Sequence, residues 1–339
     1  MRFINTSDLV DPKWRFIEPH CIDEDITWEF HIGRPKSKLE RLVTRPNLAR
    51  WRAAFTAARS ASVQGSPSVL VSHLPRMGAA TNLFRRMFCP RVPQIAFAFN
   101  FTDLPTGVDL IRMRKSLRDI DEFVVFSNFE KGLYSRHFGI DETRFRYLPW
   151  AMERPKPGAT HPRPDLNDYL CAIGGEGRDY ALLAQAMKEM PETKMIVVAR
   201  PYSIEGIEFP DNVSVFTNLS ADETWRIVSD SAGMVLPLRS AETACGHITL
   251  VGAQLLGLPM IVTRSVGIED YVRDGKNALV VTSHSAEDLC AAIRRIRDRP
   301  DLARSLGRCA SKIAHKENSL TVWVSYFIDK SAEYERRLP

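Results

Sequence analysis

Short apolar, β-branched runs alternate with helically spaced segments along the whole chain, and a proline-rich break divides that alternation near its middle. Together these predict an α/β fold of two Rossmann-like domains facing each other across a cleft. Ten strand-like runs are too many for one doubly wound sheet, and 339 residues are comfortable for two domains.

In the first half the expected strands are Val69–Ser72, Ile95–Phe99, Phe123–Phe126 and Phe145–Leu148. Helical i, i+3, i+4 spacing covers Leu48–Ala61 and Glu130–Phe138. In the second half the strands are Tyr169–Ile173, Met195–Val198, Val213–Phe216, Met234–Leu236, Met260–Thr263 and Ala278–Val281. Helices are expected over Tyr180–Met190, Asp222–Ser229 and Ala286–Asp298. Between the halves, Pro149–Pro164 holds five prolines and no apolar period, the composition of a linker. The domains are therefore placed at 1–150 and 165–318, joined by 151–164. Beyond them a helix starting on Ser319 carries Val322, Trp323, Tyr326, Phe327 and Tyr334 on one face. It either returns to the first domain or caps the second.

Composition bounds the function. Hydrophobic and charged contents of 44% and 26% are those of a soluble globular protein, and no apolar run is long enough to span a bilayer. The N-terminal residues lack the apolar core of a secretory signal. Six scattered cysteines without a CxxC pair argue for a reducing compartment, with neither zinc site nor disulfide framework. The expected location is the cytoplasm.

The net charge of +5 is unevenly spread. Residues 1–150 carry 23 basic against 16 acidic side chains; the remainder carries 23 against 25. Between Arg41 and Thr102 stand nine arginines and no acid. Such an imbalance either solvates helical faces or meets an anionic partner. Met77–Arg91 interleaves basic and apolar residues at helical spacing, which suits an anionic membrane surface at the inner face of the cytoplasmic membrane. No nucleic-acid-binding motif is present, so nucleic acid is not an expected partner.

The most informative segment is Glu242–Arg264. A Gly-His pair and a threonine open an apolar helix, whose first N–H groups favour an anion, typically a phosphate. Gly257-Leu258-Pro259 ends that helix before a buried parallel strand. A second turn of this kind follows Tyr169–Ile173, where Gly174-Gly175-Glu176-Gly177-Arg178 leads into a helix. Glycines let backbone approach a phosphate and the arginine supplies charge. The spacing is not GxGxxG.

Several stretches of the second half resemble the nucleotide-sugar domain of GT-B glycosyltransferases of the family 4 type. They are IGGEGRDYALLAQAM (173–187), NVSVF (212–216), SADETWRIVSDSAGMVLPL (220–238), CGHITLVGAQLLGLPMIVTRSVGIEDYVRDGKNALVV (245–281) and DLARSLGRCA (301–310), in the family's order. VSHLPRM, FNFTDLP, VVFSNFEKGLYSRHFGI and FRYLPWAME resemble the acceptor domain more loosely. The resemblance implies a GT-B fold and an enzyme moving a sugar from a nucleotide-diphospho-sugar co-substrate to a glycan or lipid-linked acceptor. Bacterial surface polysaccharide or glycolipid synthesis is the setting it suggests. It implies no metal and no other cofactor, and retention of configuration at the sugar.

Residue by residue, the resemblance assigns Arg178 and Gly175 to the donor diphosphate. It assigns the backbone of Gly246, His247 and Ile248 to the distal phosphate and sugar, and the Thr249 hydroxyl to the phosphate. Phe216 and Thr217 fall beside the nucleobase. The family often carries two glutamates eight positions apart, which hold the donor's ribose and sugar. Here Ala244 and Gly252 stand in their places, and Glu242 lies two residues upstream of the first. Ribose recognition and stereochemistry are left open by that departure.

Acceptor-side candidates follow the first-half strands. His73 ends one strand and is either structural or faces the cleft. Asn100 and Asp103 end another; Asp103 either takes a proton from an acceptor hydroxyl or closes the turn before Pro105. Glu269 and Asp270 either reach a ribose or start a helical turn. Ser127 reads as a helix N-cap. Two competing functions are an inactive nucleotide-sugar- or glycan-binding protein and a nucleotide-sugar epimerase of related shape.

Overall fold

The computed structural model describes residues 1–8, 17–21, 25–43, 47–63, 67–163, 165–175, 177–239, 245–282 and 284–337. Glu176, Glu242 and Ala244 lie outside them. The chain divides into two compact units, 1–149 with 320–339, and 150–319.

The first unit is built on β1 (Arg2–Ser7), β2 (Thr27–Ile32), α1 (Lys38–Leu42), α2 (Leu48–Ala61), β3 (Ser68–His73), α3 (Pro75–Phe88), β4 (Gln94–Phe97), α4 (Gly107–Leu117), β5 (Glu122–Val125), α5 (Asn128–Phe138) and β6 (Phe145–Tyr147). Its six strands pair in parallel in the order β2-β1-β3-β4-β5-β6. The strand order reverses between β1 and β3, which is the switch point where doubly wound sheets bind ligands.

The sequence reading missed β1 and β2. Central β1 starts with buried Phe3 and Ile4 but continues with Asn5, Thr6 and Ser7, all buried too. Those polar groups find partners inside: Thr6 lies 3.0 Å from the Thr81 hydroxyl, and Asn5 bonds the His73 ring. A strand that buries paired polar side chains has no apolar run to read.

The second unit holds β7 (Tyr169–Ile173), α6 (Tyr180–Lys188), β8 (Lys194–Ala199), β9 (Val213–Thr217), α7 (Ala221–Asp230), β10 (Gly233–Leu236), α8 (His247–Leu256), β11 (Met260–Thr263), β12 (Leu279–Val281), α9 (Ala286–Asp298) and α10 (Pro300–Glu317). Its parallel order β12-β11-β10-β7-β8-β9 is the two-half Rossmann arrangement, with the switch point between β7 and β10. Apolar layers cover both faces of the sheet, as near-continuous apolar strands require.

The proline-rich segment groups with the second unit rather than standing apart. Met152 N–H donates to Asn318 O at 3.1 Å, the Asn318 amide donates to Trp150 O at 2.9 Å, and Gly158 N–H reaches Asp222 O at 2.9 Å. The last helix, α11 (Thr321–Arg337), belongs to the first unit. Trp323 and Phe327 are each 1% exposed and pack on Phe97, whose ring centroid is 5.0 and 5.5 Å from theirs. Tyr326 donates to Glu122 Oε1 at 2.5 Å, and Lys330 pairs with the same carboxylate.

The basic helix α3 turns Met77, Ala80, Asn82 and Arg85 inward. Part of its apolar side is thus spent on the core, while Leu83 and Met87 stay exposed by 39 and 64%. Arg85 is 5% exposed and donates to the carbonyls of Pro90, Val92 and Asp119. Arg50, Arg52 and Arg86 pair with Asp8, Glu40 and Asp119, acids that lie outside the acid-free stretch. Among the described residues no helix is long and apolar enough to cross a membrane.

Deleting the indole that α11 buries tests its place in the first unit. Trp323→Ala is expected to cost about 3–5 kcal/mol in urea unfolding followed by circular dichroism. A loss below about 1 kcal/mol contradicts the packing described.

Candidate functional site

Two loops of the second unit meet at the β7–β10 switch point. After β7 the chain turns at Gly174, where φ is +116° and an added Cβ would lie 2.6 Å from Arg178 Nη2. Only glycine fits there. The Tyr180 hydroxyl fixes the turn by donating to Gly174 O at 2.6 Å. Helix α8 begins after Gly246, whose φ of +93° swings the chain into its first turn. Gly246, the N-cap, has no side chain to accept from the first turn of α8, and a helix start of this kind favours an anion.

Arg178 ties the two loops together. It is 4% exposed; Nε donates to Ile173 O at 3.1 Å and Nη2 to Thr249 Oγ1 at 3.0 Å. The residue also bridges to Leu238 after β10, and Arg239 donates to Arg178 O at 3.2 Å. A buried guanidinium raises the potential around the helix entrance and holds the Thr249 hydroxyl in place.

His247 is buried beneath this entrance. Its Nε2 stands 2.9 Å from Gly267 O, which can only accept, so Nε2 carries the proton. The ring packs at 4.9 Å on Tyr271. Burial pulls its pKa down to about 4, opposed by the Gly267 carbonyl and Asp270, so the ring is neutral at pH 7.

A pocket opens beyond these strand ends, lined by Gly174, Gly175, Ile248 and Thr249 together with Arg200 and Trp225. Of the sequence-derived donor candidates, Gly175, Ile248 and Thr249 therefore reach it directly. Arg178 lies behind the wall. Phe216 packs partly on the core, and exposed Thr217 ends β9 just before Asn218, which itself lines the pocket. Glu242 falls outside the described residues. Glu269 is exposed in a turn and lines a separate pocket with Arg264 and Asp274.

Sequence reasoning missed Arg200 and Trp225. Arg200 directly follows β8, the place where Rossmann units put the residue that reads a ribose or its phosphate. The strand-end position was the available signal. Trp225 sits at a core-like position of an amphipathic helix and carried none.

The first unit has its own switch point. His73 ends β3 at 3% exposure, and the Asn5 amide nitrogen lies 2.8 Å from its Nε2. An amide nitrogen only donates, so Nε2 is the accepting, unprotonated atom. Burial lowers the His73 pKa to about 3. Leu74, next in chain, has φ +72°, and Ala98 after β4 has φ +54°. Non-glycine residues at such angles are strained and gather at functional sites. Asn100 and Asp103 are exposed on the loop that follows. Ser127 caps α5 by accepting from Glu130 N–H, as read from the sequence. Glu130 is 1% exposed, accepts from Tyr134 Oη at 3.0 Å, and is pushed up to about 7 by burial. Tyr134 in turn accepts Phe101 N–H at 3.1 Å, anchoring the loop of Asn100 and Asp103.

His247 makes stability pH-dependent. The unfolded ring titrates near 6.5 and the folded one near 4, so between these values the unfolded state binds more protons and stability falls as pH drops. From pH 7 to 5 the His247→Gln variant should lose about 2 kcal/mol less than wild type in chemical denaturation. An unchanged difference between the two proteins would contradict this.

Residues 168–313 match the model of the family described as glycosyl transferases group 1. No curated protein matches the sequence. Solved structures similar to the whole chain include a glycosyltransferase from Rickettsia africae ESF-5, with 14% identity, TM-score 0.69 and 98% of each chain covered. Another is the sucrose-phosphate synthase tll1590 of Thermosynechococcus elongatus, with 15% identity, TM-score 0.73, and 100% of this chain and 99% of that one covered. A third is Anabaena Alr3699/HepE in complex with UDP-glucose, with 12% identity, TM-score 0.71, and 98% and 99% covered. At these identities the likeness is one of fold. Residues 168–313 of the second unit thus match the glycosyl transferases group 1 model, in a chain with the two-sheet GT-B fold.

Proposed function

We propose that the chain transfers a glycosyl group from a nucleotide-diphospho-sugar to a glycan or lipid-linked acceptor, in surface polysaccharide or glycolipid synthesis. The observation that carries this reading is the convergence of Gly174 and Gly175 after β7 with Ile248 and Thr249 in the first turn of α8 on one pocket, tied together by Arg178. Departure of a nucleoside diphosphate places growing negative charge on the phosphate nearest the sugar. Preorganised N–H groups of α8, the Thr249 hydroxyl and the field of Arg178 answer that charge, with Arg200 as an exposed cation at the same pocket. Gly175 lets the diphosphate approach the backbone, and Phe216 and Thr217 sit near the nucleobase end.

On the acceptor side, Asp103 takes the proton from the attacking hydroxyl, Asn100 orients it, and neutral His73 holds the strand end against Asn5. The reading carries no metal and no cofactor, and retention at the transferred sugar. UDP-glucose bound in the Anabaena protein of the same fold supports a nucleotide-sugar as donor.

A cytoplasmic location at an anionic membrane face belongs to the same proposal, on the outer side of Met77–Arg91 together with α2. Trp51 and Phe55 on α2 and Leu83 and Met87 on α3 stay exposed by 40, 40, 39 and 64%; the Trp51 and Phe55 rings pack on Phe84, and Arg59 lies over Phe88. Aromatic and basic groups side by side suit an anionic lipid interface.

The donor claim is tested by a thermal-shift screen over nucleotide-diphospho-sugars. One donor at about 100 times its Kd should add roughly 2.7 kcal/mol, and Arg200→Ala and Arg178→Lys should each reduce the shift at a fixed concentration. No shift from any donor overturns the reading. For the membrane, vesicles containing phosphatidylserine should float the protein, while phosphatidylcholine vesicles leave it in solution. Equal behaviour with both sinks the association.

A further inference from the structure

We propose that Gly175 is a positioning residue for the donor: lacking a side chain, it lets Arg200 lie across the β7 loop and bring its guanidinium to the distal phosphate beside α8. The inference rests on the donor reading above. It adds which residue places the pocket's exposed cation and which part of the donor that cation meets. Unlike Gly174 and Gly177 on the same loop, Gly175 has no positive φ, so its backbone conformation does not call for glycine. Its neighbours do. A Cβ on Gly175 would lie 2.8 Å from Arg200 Cγ, 3.2 Å from Arg200 Cβ and 2.9 Å from the Tyr202 hydroxyl oxygen. The Arg200 stem therefore occupies the space an alanine methyl would need, and close-packed atoms cannot share it.

Backbone bonds hold the two residues side by side. Gly174 N–H donates to Val198 O at 2.9 Å, which carries the β7–β8 pairing to the start of both loops. Arg200 then opens a short helical turn, Pro201–Ser203. Ser203 donates to Arg200 O twice, from its N–H at 2.9 Å and from its hydroxyl at 2.7 Å. Pro201 fixes its own φ in that turn, so the backbone that carries Arg200 is pinned.

The sheet order gives the direction. β7 stands between β8 and β10, and α8 follows β10, whereas Thr217 and Asn218 lie at the end of β9 on the other side of β8. A side chain that leaves the end of β8 and lies over Gly175 thus runs toward the α8 entrance and away from β9. Adjacent strands are about 4.8 Å apart, so this lean separates an arginine that serves phosphate from one that reads the nucleoside. A guanidinium presents a planar pair of N–H donors, which matches two oxygens of one phosphate. Alanine at 175 would keep the backbone N–H of that position and deflect the Arg200 stem.

The test is calorimetric titration of the full chain with UDP, ADP and GDP, and with the monophosphate of the base that binds best. Arg200→Ala should raise the Kd for that diphosphate by roughly tenfold or more, and the Kd for the monophosphate by less than about threefold. Gly175→Ala should weaken the diphosphate by roughly fivefold or more, and the double variant should match Arg200→Ala within about twofold, because a residue acting through Arg200 then has nothing left to place. Melting curves confirm that the variants fold, and the comparison of the two nucleotides needs Arg200→Ala alone. Equal losses for monophosphate and diphosphate overturn the inference. So does a double variant whose loss is the product of the two single losses. Both results leave the donor reading standing. Binding of none of the three diphosphates overturns the donor reading, and this inference with it.

Discussion

The buried guanidinium of Arg178 holds the second unit's ligand end together. It bonds the last carbonyl of β7 and the Thr249 hydroxyl in the first turn of α8, while its backbone bridges to Leu238 beyond β10. Three segments far apart in sequence are thereby fixed around one positive charge. The cost of burying that charge is met by hydrogen bonds, and removing it would leave their acceptors unpaired. Gly174 is glycine because Arg178 lies against it, and Gly246 is glycine because α8 must start from a left-handed turn. The positive end of α8 and the guanidinium bonded to its first turn then form one electrostatic unit, suited to a ligand with its own negative charge.

Sheet topology decides where such a unit can form. Both sheets reverse their strand order once, and each reversal leaves a crevice beyond the strand ends. In the second unit the glycine loop, Arg200 and α8 fill that position. In the first unit the same position holds His73 bonded to Asn5, followed by the strained Leu74 and near the strained Ala98. The two crevices differ in chemistry. One gathers cations and N–H groups, while the other holds a neutral imidazole beside an exposed carboxylate loop.

The sequence made the fold class and most strands legible because parallel strands buried on both faces are apolar throughout, as in Tyr169–Ile173 and Met260–Thr263. It hid what departs from that rule. β1 buries Asn5, Thr6 and Ser7, so its central place in the sheet is not written as hydrophobicity. α4 fully buries only Leu117, with Leu110 and Met113 partly buried beside it and Val108 and Ile111 exposed, so its apolar residues do not sort cleanly onto one face, and α10 packs through small residues such as Ala310 and Ala314. At the site, glycines and the helix entrance were readable because their chemistry is local. Trp225 was not, because it reaches the pocket only where α7 packs on Gly252 of α8. Arg85 was read as surface charge, although three backbone carbonyls claim it.

The most direct measurement of the central claim is amide hydrogen exchange with and without a bound nucleoside diphosphate. Protection should rise in two separated segments, Gly174–Tyr180 and Gly246–Leu250, because phosphate oxygens would occupy the N–H groups of both. Protection of neither segment, or of the first unit alone, would contradict the assignment of the phosphate site to the β7–α8 crevice.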